Sequence, residues 1–492
     1  DARKRSAQLA QALQTLKLHD GDAVATIAWN THRHLELYYG VSGMGAIIHT
    51  VNPRLHPTQL VYVLNHAQDR ALFVDLTFVP LIEAIWDKLE SVRHLVIMTD
   101  KGHMPACKIQ GALCYEDLIA AEDGDYEWPT FPEDTASSIC YTSGTTGNAK
   151  GVVYSHRSSV LHAFGVAVPG VIPVGPDDAL LPVVPMFHVN AWGVPYAAAM
   201  CGYKLVMPGP RLDGVGLTEL MNNEGVTCYW GVPTVHLSLL AHWRSSGESV
   251  PSLRTVTTGG AAPTSALIEG FRSRGIEFVH GWGMTETSPV ATVSSLTRAD
   301  ADLDDATQVA RLTRQGKKLF GVEMRIVGED GQVLPRDGKT FGELQVRGPW
   351  ICSAYLGNAP GSALDGEGWF PTGDVAVIHP DGTMQITDRK KDLIKSGGEW
   401  ISSIDLENAA ARHPEVAMAA VIGIAHEKWG ERPLLIVQPA PGASPTKESV
   451  LEFLEDQVAK HWLPDRVVFV DALPLGPTGK VQKSVLRERY SA

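Results

Sequence analysis

Hydrophobic and polar positions alternate along this chain in two rhythms. Residues 6–16 space their apolar side chains as one face of a helix does, and residues 23–28 form a short apolar run after the turn Asp20-Gly21-Asp22. A helix-like stretch at 35–43 leads to an apolar strand at 46–50. Another helix is predicted at 60–66 and another strand at 71–74. The strand signal returns at 204–208, 226–229 and 255–258. Such βα alternation predicts a largely parallel sheet covered by helices. Near Phe320 the rhythm changes. Short strands at 323–327, 342–347 and 383–387, separated by turns such as Glu329-Asp330-Gly331, predict a small β-rich subdomain. After Asp388-Arg389-Lys390-Lys391-Asp392 a new βα pattern begins: a helix at 403–412, strands at 416–424 and 434–438, and a helix at 447–461. The expected fold is therefore α/β. A large N-terminal domain (1–388) of α/β-sheet subdomains carries a β-rich subdomain (320–388), and a small α+β C-terminal domain (389–492) follows.

Composition narrows this picture without changing it. At 492 residues the chain exceeds the about 250–300 residues that one hydrophobic core serves, so two or more domains are expected. With 42 basic and 55 acidic residues the net charge is −13, which supplies no general attraction for nucleic acid or an anionic membrane. An anionic substrate must be held by local groups. The six cysteines form no Cys-x-x-Cys pair, which fits reduced cytosolic thiols better than zinc or disulfides. The apolar region 179–210 is interrupted by Pro182, Pro185, His188, Asn190 and Pro195, and no membrane span is expected. The chain opens at Asp1 rather than Met, which leaves an upstream segment open, a targeting one included.

The strongest chemical signal is Tyr141-Thr142-Ser143-Gly144-Thr145-Thr146-Gly147-Asn148-Ala149-Lys150-Gly151, placed directly after the apolar run 136–140. Glycines bring backbone N–H groups close to an anion, hydroxyls add donors, and Lys150 adds a positive charge. That combination suits a polyphosphate. A loop needing only flexibility would not need the lysine. The Walker pattern is not met, because Ala149 precedes the lysine and Gly151 follows it.

This stretch resembles the phosphate loop of the adenylate-forming superfamily of acyl-CoA synthetases, peptide-synthetase adenylation domains and luciferases. Ala149 stands where that family usually has Pro, a change in stiffness rather than in ligand groups. Six further segments resemble the family's motifs in the family's order. Pro185-Met186-Phe187-His188-Val189-Asn190-Ala191-Trp192 resembles the acyl-site segment, and Thr258-Gly259-Gly260-Ala261-Ala262 an adenine-site turn. Gly281-Trp282-Gly283-Met284-Thr285-Glu286-Thr287 resembles the segment that stacks adenine and binds Mg²⁺. Thr372-Gly373-Asp374 resembles the ribose segment, 388–392 the interdomain hinge, and Pro477-Thr478-Gly479-Lys480 the catalytic-lysine loop.

The resemblance implies an ATP-dependent acyl-CoA ligase with ATP, Mg²⁺ and CoA as cofactor or co-substrates. The implied catalytic groups are Lys480, Glu286, Thr142 and His188, with Glu286 and Thr142 at the metal. Nucleotide and CoA contacts fall on Thr142, Ser143, Gly144, Thr145, Thr146, Gly147, Lys150, Gly260, Ala261, Gly281, Trp282, Gly283, Thr285, Asp374, Arg389, Lys391, Gly398, Glu399 and Trp400. The acid falls to His188, Val189, Trp192, Val232, Gly260, Gly281 and Met284. Glu286 offers the hard oxygen that Mg²⁺ prefers. Read alone it is a surface acid, Asp374 a turn residue and Lys480 an ordinary surface lysine. His188 and Trp192 are four residues apart and share a face if the segment is helical, where core packing is the plain alternative. The motifs look most like medium- and long-chain fatty acid–CoA ligases of bacteria, and also like 3-methylmercaptopropionate–CoA ligases. The C-terminal domain is then mobile, rotating about Lys391, and a cytoplasmic enzyme is expected, with a homodimer left open. Three other readings compete: an acyl-AMP ligase loading a carrier protein, a phosphotransferase and a non-catalytic nucleotide-binding module.

Overall fold

The short apolar runs of the first third of the chain become one sheet. In the computed structural model, which describes residues 1–142, 148–168, 171–396, 399–476 and 481–490, seven strands lie side by side. Their order is Leu113–Cys114, His94–Ile97, Ala71–Val74, Ala23–Ile27, Ile47–Thr50, Ala136–Tyr141 and Gly151–Ser155. Every neighbouring pair is parallel except the last, an antiparallel hairpin. Ala23–Ile27 and Ala71–Val74 are buried along their whole length, which is why they read as continuous apolar runs.

A second seven-stranded sheet runs Lys317–Lys318, Val290–Ser294, Glu277–Gly283, Thr255–Thr258, Cys228–Gly231, Ala179–Pro182 and Lys204–Leu205. It is parallel from Glu277–Gly283 onward and antiparallel at its other edge. The third sheet, Glu323–Val327, Phe341–Arg347, Phe370–Ile378 and Met384–Arg389, is antiparallel throughout. Phe370–Ile378 carries Asp374 and escapes the sequence reading because Pro371 and Gly373 interrupt its strand signal.

One apolar cluster runs through all three sheets, from Leu9, Tyr38 and Ile48 through Trp230, Val279 and Trp282 to Met324, Leu344 and Ile378. Residues from Ile394 onward build separate clusters around Leu406, Val421 and Leu435 and around Ala420, Leu434 and Leu486. Their sheet joins Glu399–Ile401, Ile394–Ser396, Gly430–Pro439 and Val416–His426, with Arg466–Phe469 parallel to Gly430–Pro439. Among the described residues no helix is long and apolar enough to cross a membrane.

Candidate active site

Parallel strands present their carboxyl ends along one rim, where ligands of open α/β sheets bind. The strand Ala136–Tyr141 delivers Thr142 to that rim and Gly151–Ser155 leads away from it. Two hydrogen bonds pinch the base of the intervening loop. The Thr142 N–H donates to the Lys150 carbonyl at 2.9 Å, and the Lys150 N–H donates to Thr142 Oγ1 at 3.1 Å. Ser143, Gly144, Thr145, Thr146 and Gly147 lie outside the described residues, as do Gly398, Lys480 and the side chains of Glu399 and Trp400.

Lys150 does not point into empty solvent. Its Nζ sits 4.7 Å from the centre of the Tyr355 ring. The Tyr355 hydroxyl donates to Glu286 Oε1 at 2.8 Å. Burial, reinforced by the Glu286 carboxylate, holds the Tyr355 phenol far above its usual range, so it stays a donor. Glu286 is held from its backbone as well, because its carbonyl accepts from the Cys352 N–H at 2.7 Å. The Tyr154 hydroxyl, on the outgoing strand of the phosphate-loop hairpin, donates to the Thr285 carbonyl at 2.6 Å. Lys150, Tyr355 and Glu286 thus form one connected group beside the loop. Tyr355 was missed by the sequence reading, since nothing local marks a tyrosine whose partner is distant in the chain.

Glu286 follows the strand Glu277–Gly283 on a short turn, Thr285–Thr287. Gly283 is required there, because a Cβ would lie 1.8 Å from the Pro289 carbonyl oxygen. Trp282 is largely buried in the common core. Across the parallel ladder the strand Thr255–Thr258 ends in Gly259 and Gly260, followed by Ala261. Gly260 takes φ +81°, and the space beside it is bounded by Val232, whose Cγ1 is 3.7 Å from where a Cβ would stand. Asp374 is buried and pairs with Arg389 directly across the strands, Oδ1 to Nε at 2.6 Å.

The acyl segment departs from expectation. Residues 189–192 are not a right-handed helix, so His188 and Trp192 do not share a face through helical spacing. Val189, Asn190, Ala191 and Trp192 have φ of 44°, 53°, 46° and 59°, and Gly193 continues the left-handed run at 82°. A non-glycine residue held there costs about 1–2 kcal/mol, least for Asn. Tertiary bonds must hold the turn. The Asn190 amide donates to Ser138 Oγ at 2.9 Å, and its carbonyl oxygen accepts from the Tyr38 hydroxyl at 3.1 Å and from Cys140 Sγ at 3.4 Å. Burial lifts the Tyr38 phenol well above its usual range and the Cys140 thiol to about 11, so both remain donors. Asn30 fixes the approach to the turn, donating to the Pro182 and Val184 carbonyls at 2.8 and 2.9 Å and accepting from the Met186 N–H at 2.7 Å.

The turn aims the Trp192 ring at Gly259, where a Cβ would stand 2.8 Å from the ring edge and 2.9 Å from the Gly281 carbonyl oxygen. Trp230 lies behind it, ring centres 6.1 Å apart. Trp192, Val232, Gly260 and Gly281 are therefore gathered at one place. Met284 packs against the same apolar cluster as Trp192. His188 instead faces a cleft with Thr142, Phe187, Tyr141, Thr50 and Asn52, between the base of the 142–150 loop and the segment 185–192.

The donor set can be tested against magnesium. Among the described residues no group of three or more His, Cys, Asp or Glu side chains converges. The buried Glu286 carboxylate still suits Mg²⁺, a hard cation that takes one or two carboxylates and keeps waters or phosphate oxygens for its other positions.

Known proteins resemble this chain over nearly its whole length. The AMP-binding enzyme family profile matches residues 1–356, and the AMP-binding enzyme C-terminal domain profile matches residues 405–480. The 3-methylmercaptopropionyl-CoA ligase of Ruegeria lacuscaerulensis is 50% identical over 484 residues, 98% of this chain and 90% of that one. The medium-chain-fatty-acid–CoA ligase of Ectopseudomonas oleovorans is 48% identical over 487 residues, 99% of this chain and 89% of that one. The crystal structure of ATP-bound MatB from Rhodopseudomonas palustris superposes with a TM-score of 0.84 at 27% identity, over 100% of this chain and 93% of that one.

Proposed function

The chain belongs to the AMP-binding enzyme family of ATP-dependent acyl-CoA ligases, and from that premise we propose that the acid it activates is a medium- or long-chain fatty acid. The observation behind this reading is the Trp192 ring packed on Gly259 beside the Gly281 carbonyl and Val232. An aromatic and aliphatic end wall suits an alkyl tail and gives no partner to a charged or strongly polar one.

The reaction runs in two steps. A carboxylate oxygen of the acid attacks the α-phosphorus of ATP, the bond to pyrophosphate breaks, and a mixed anhydride forms. The sulfur of CoA then attacks the acyl carbon, the bond to the AMP oxygen breaks, and AMP leaves. In our reading Lys480 bridges the carboxylate and the α-phosphate, where two anions must meet. The Thr142–Lys150 loop holds the departing pyrophosphate. Glu286, together with Thr142, would hold Mg²⁺, which when bound neutralises phosphate oxygens. Asp374 and Arg389 serve the ribose, and Gly260, Ala261, Gly281, Trp282, Gly283 and Thr285 the adenine side. His188 faces the route between acid and nucleotide. The remaining residues, Lys391, Gly398, Glu399 and Trp400, belong to a C-terminal domain (389–492) that rotates against 1–388, so that Lys480 serves the first step and Gly398 lines the pantetheine path in the second.

A second acid has support of its own. The Ruegeria relative is named for 3-methylmercaptopropionate, a thioether of the same chain length as pentanoate. The wall that receives an alkyl tail also receives a thioether. Pyrophosphate release, measured with and without CoA, separates the two readings. The screen covers unbranched acids from acetate upward and 3-methylmercaptopropionate. Each buried methylene contributes about 0.8 kcal/mol, so the rate should climb severalfold per carbon until the pocket is full. A preference for acetate or for an aromatic amino acid would remove the fatty-acid assignment. A thioether far above its alkyl isostere would replace it with the second reading.

A further inference from the structure

The Asn190 side chain is 3% exposed, and its amide and carbonyl are both engaged by groups outside its own segment. Ser138 and Cys140 belong to the strand that delivers Thr142, and Tyr38 belongs to the helix His32–Gly43. The same Tyr38 hydroxyl also reaches the Met186 carbonyl at 2.6 Å. Asn190 stands second in a run of five positive-φ residues that ends at Gly193, where a Cβ would meet His162 Nδ1 at 2.8 Å. Nothing in Val189-Asn190-Ala191-Trp192 favours a left-handed turn except the asparagine itself. Two residues further on, the turn sets the direction of the Trp192 ring.

We propose that Asn190 is the specificity-positioning residue of the acyl site: its ties to Ser138, Cys140 and Tyr38 lock the left-handed turn and so fix how far the Trp192 ring closes the pocket over Gly259. The proposal rests on the reading of Trp192 as the acyl wall. Asn190 touches no substrate. It acts through Trp192, and the property it controls is the length of acid admitted.

The test is the acid-length profile of pyrophosphate release for wild type, Asn190→Ala, Asn190→Gly, Asn190→Asp and Tyr38→Phe. Alanine removes the ties and disfavours positive φ. Glycine removes the ties and permits it. Aspartate keeps an acceptor for Tyr38 and Cys140 and tolerates the left-handed region. Room for one or two more methylenes is worth about tenfold in the ratio of kcat/KM for a long acid over a short one. That ratio should rise about tenfold in Asn190→Ala and Asn190→Gly and less in Tyr38→Phe, and Asn190→Asp should return toward wild type. The KM for ATP should stay in place. In a Trp192→Ala background the Asn190 substitutions should add nothing, because the effect runs through the ring. An unchanged ratio in every variant overturns the proposal. So does a uniform loss of rate over all acids with a lowered melting temperature, or an undiminished shift when Trp192 is already alanine. If Asn190→Ala does not fold, Ser138→Ala, which removes the acceptor of the Asn190 amide and leaves the bond from Tyr38 to Met186 in place, decides between a shifted and an unshifted profile. Should wild type release pyrophosphate with no fatty acid at all, the acid assignment fails rather than the role of Asn190.

Discussion

The two ends of the candidate site are built in opposite ways. At the proposed nucleotide end the chemical signal is local in sequence: a run of hydroxyls, glycines and a lysine between the strands of a hairpin, whose base is pinched by Thr142 and Lys150. At the acyl end the chemistry is remote. An unfavourable backbone turn is held through Asn190 by Ser138 and Cys140 of one strand and Tyr38 of one helix, with Asn30 of a loop fixing its approach. Substitutions at the first end should therefore change rate, and substitutions at the second should change which acid is used.

The largest effect expected lies at the nucleotide end. Lys480→Ala should lose acid-dependent pyrophosphate release by on the order of hundredfold or more, the scale of one lost transition-state donor. It should still convert synthetic acyl-AMP and CoA to the thioester. Gly398→Leu should do the reverse, and assays of both half-reactions on both variants check the division. Equal slowing of both steps by each variant would point to one fixed site without domain rotation.

Next come Glu286 and its support. Glu286→Gln should slow adenylation by on the order of hundredfold, with partial recovery at high Mg²⁺. Tyr355→Phe removes only the hydroxyl on Oε1 and should cost about tenfold, mainly as a weaker apparent affinity for magnesium in a titration. Full activity in Glu286→Gln would take that residue out of the site.

At the acyl end, Gly259→Ala places a methyl 2.8 Å from the Trp192 ring. Overpacking of this kind costs about 1–3 kcal/mol, read as a lower melting temperature, and should penalise the longest acids most. A profile unchanged in both respects would show that the ring moves freely, contrary to the contrast drawn above.

These differences also explain what could be read from sequence. Thr142, Lys150 and Glu286 stand out as candidates in the sequence because their residue types suit phosphate and metal chemistry and lie in short ordered segments. The parallel strands were legible because burial on both faces leaves continuous apolar runs. Tyr355 was not, since its partner Glu286 is reached only through tertiary structure. Nor was the left-handed turn, because Val189, Asn190, Ala191 and Trp192 carry no glycine or proline signal and the bonds that impose it come from Ser138, Cys140 and Tyr38. The condition under which His188 and Trp192 would share a face, a helical segment, is therefore not met.

An effect on stability rather than on rate or selectivity should be felt alike at both ends, through the acid response of the scaffold. His34, His162, His236 and His280 are fully buried, and burial lowers them to about 4, 3, 3 and 4. Their unfolded value is about 6.5, so the unfolded chain binds these protons more readily. Their contribution is present above pH 6.5 and is lost as pH falls from there toward 3–4, by up to about 1.4 kcal/mol per unit for each. Asp75 and Asp405, raised by burial to about 6, act in the opposite sense, favouring the folded state below that value. Burial also raises Asp69, Glu277, Asp388 and Glu407 and lowers His32 and His156. The histidines have their unfolded value inside the range, so unfolding monitored between pH 7 and 5 should show a falling midpoint. A midpoint constant or rising over that range would contradict neutral burial of the histidines.

The central claim, that the acid's own oxygen attacks the α-phosphorus, has a direct measurement. The enzyme is turned over with a medium-chain acid carrying ¹⁸O in both carboxylate positions, together with ATP and CoA, and the products are weighed by mass spectrometry. The account predicts one ¹⁸O in the phosphate of AMP and one in the thioester carbonyl, with none in pyrophosphate. Label in pyrophosphate or inorganic phosphate, or AMP free of label, would contradict it.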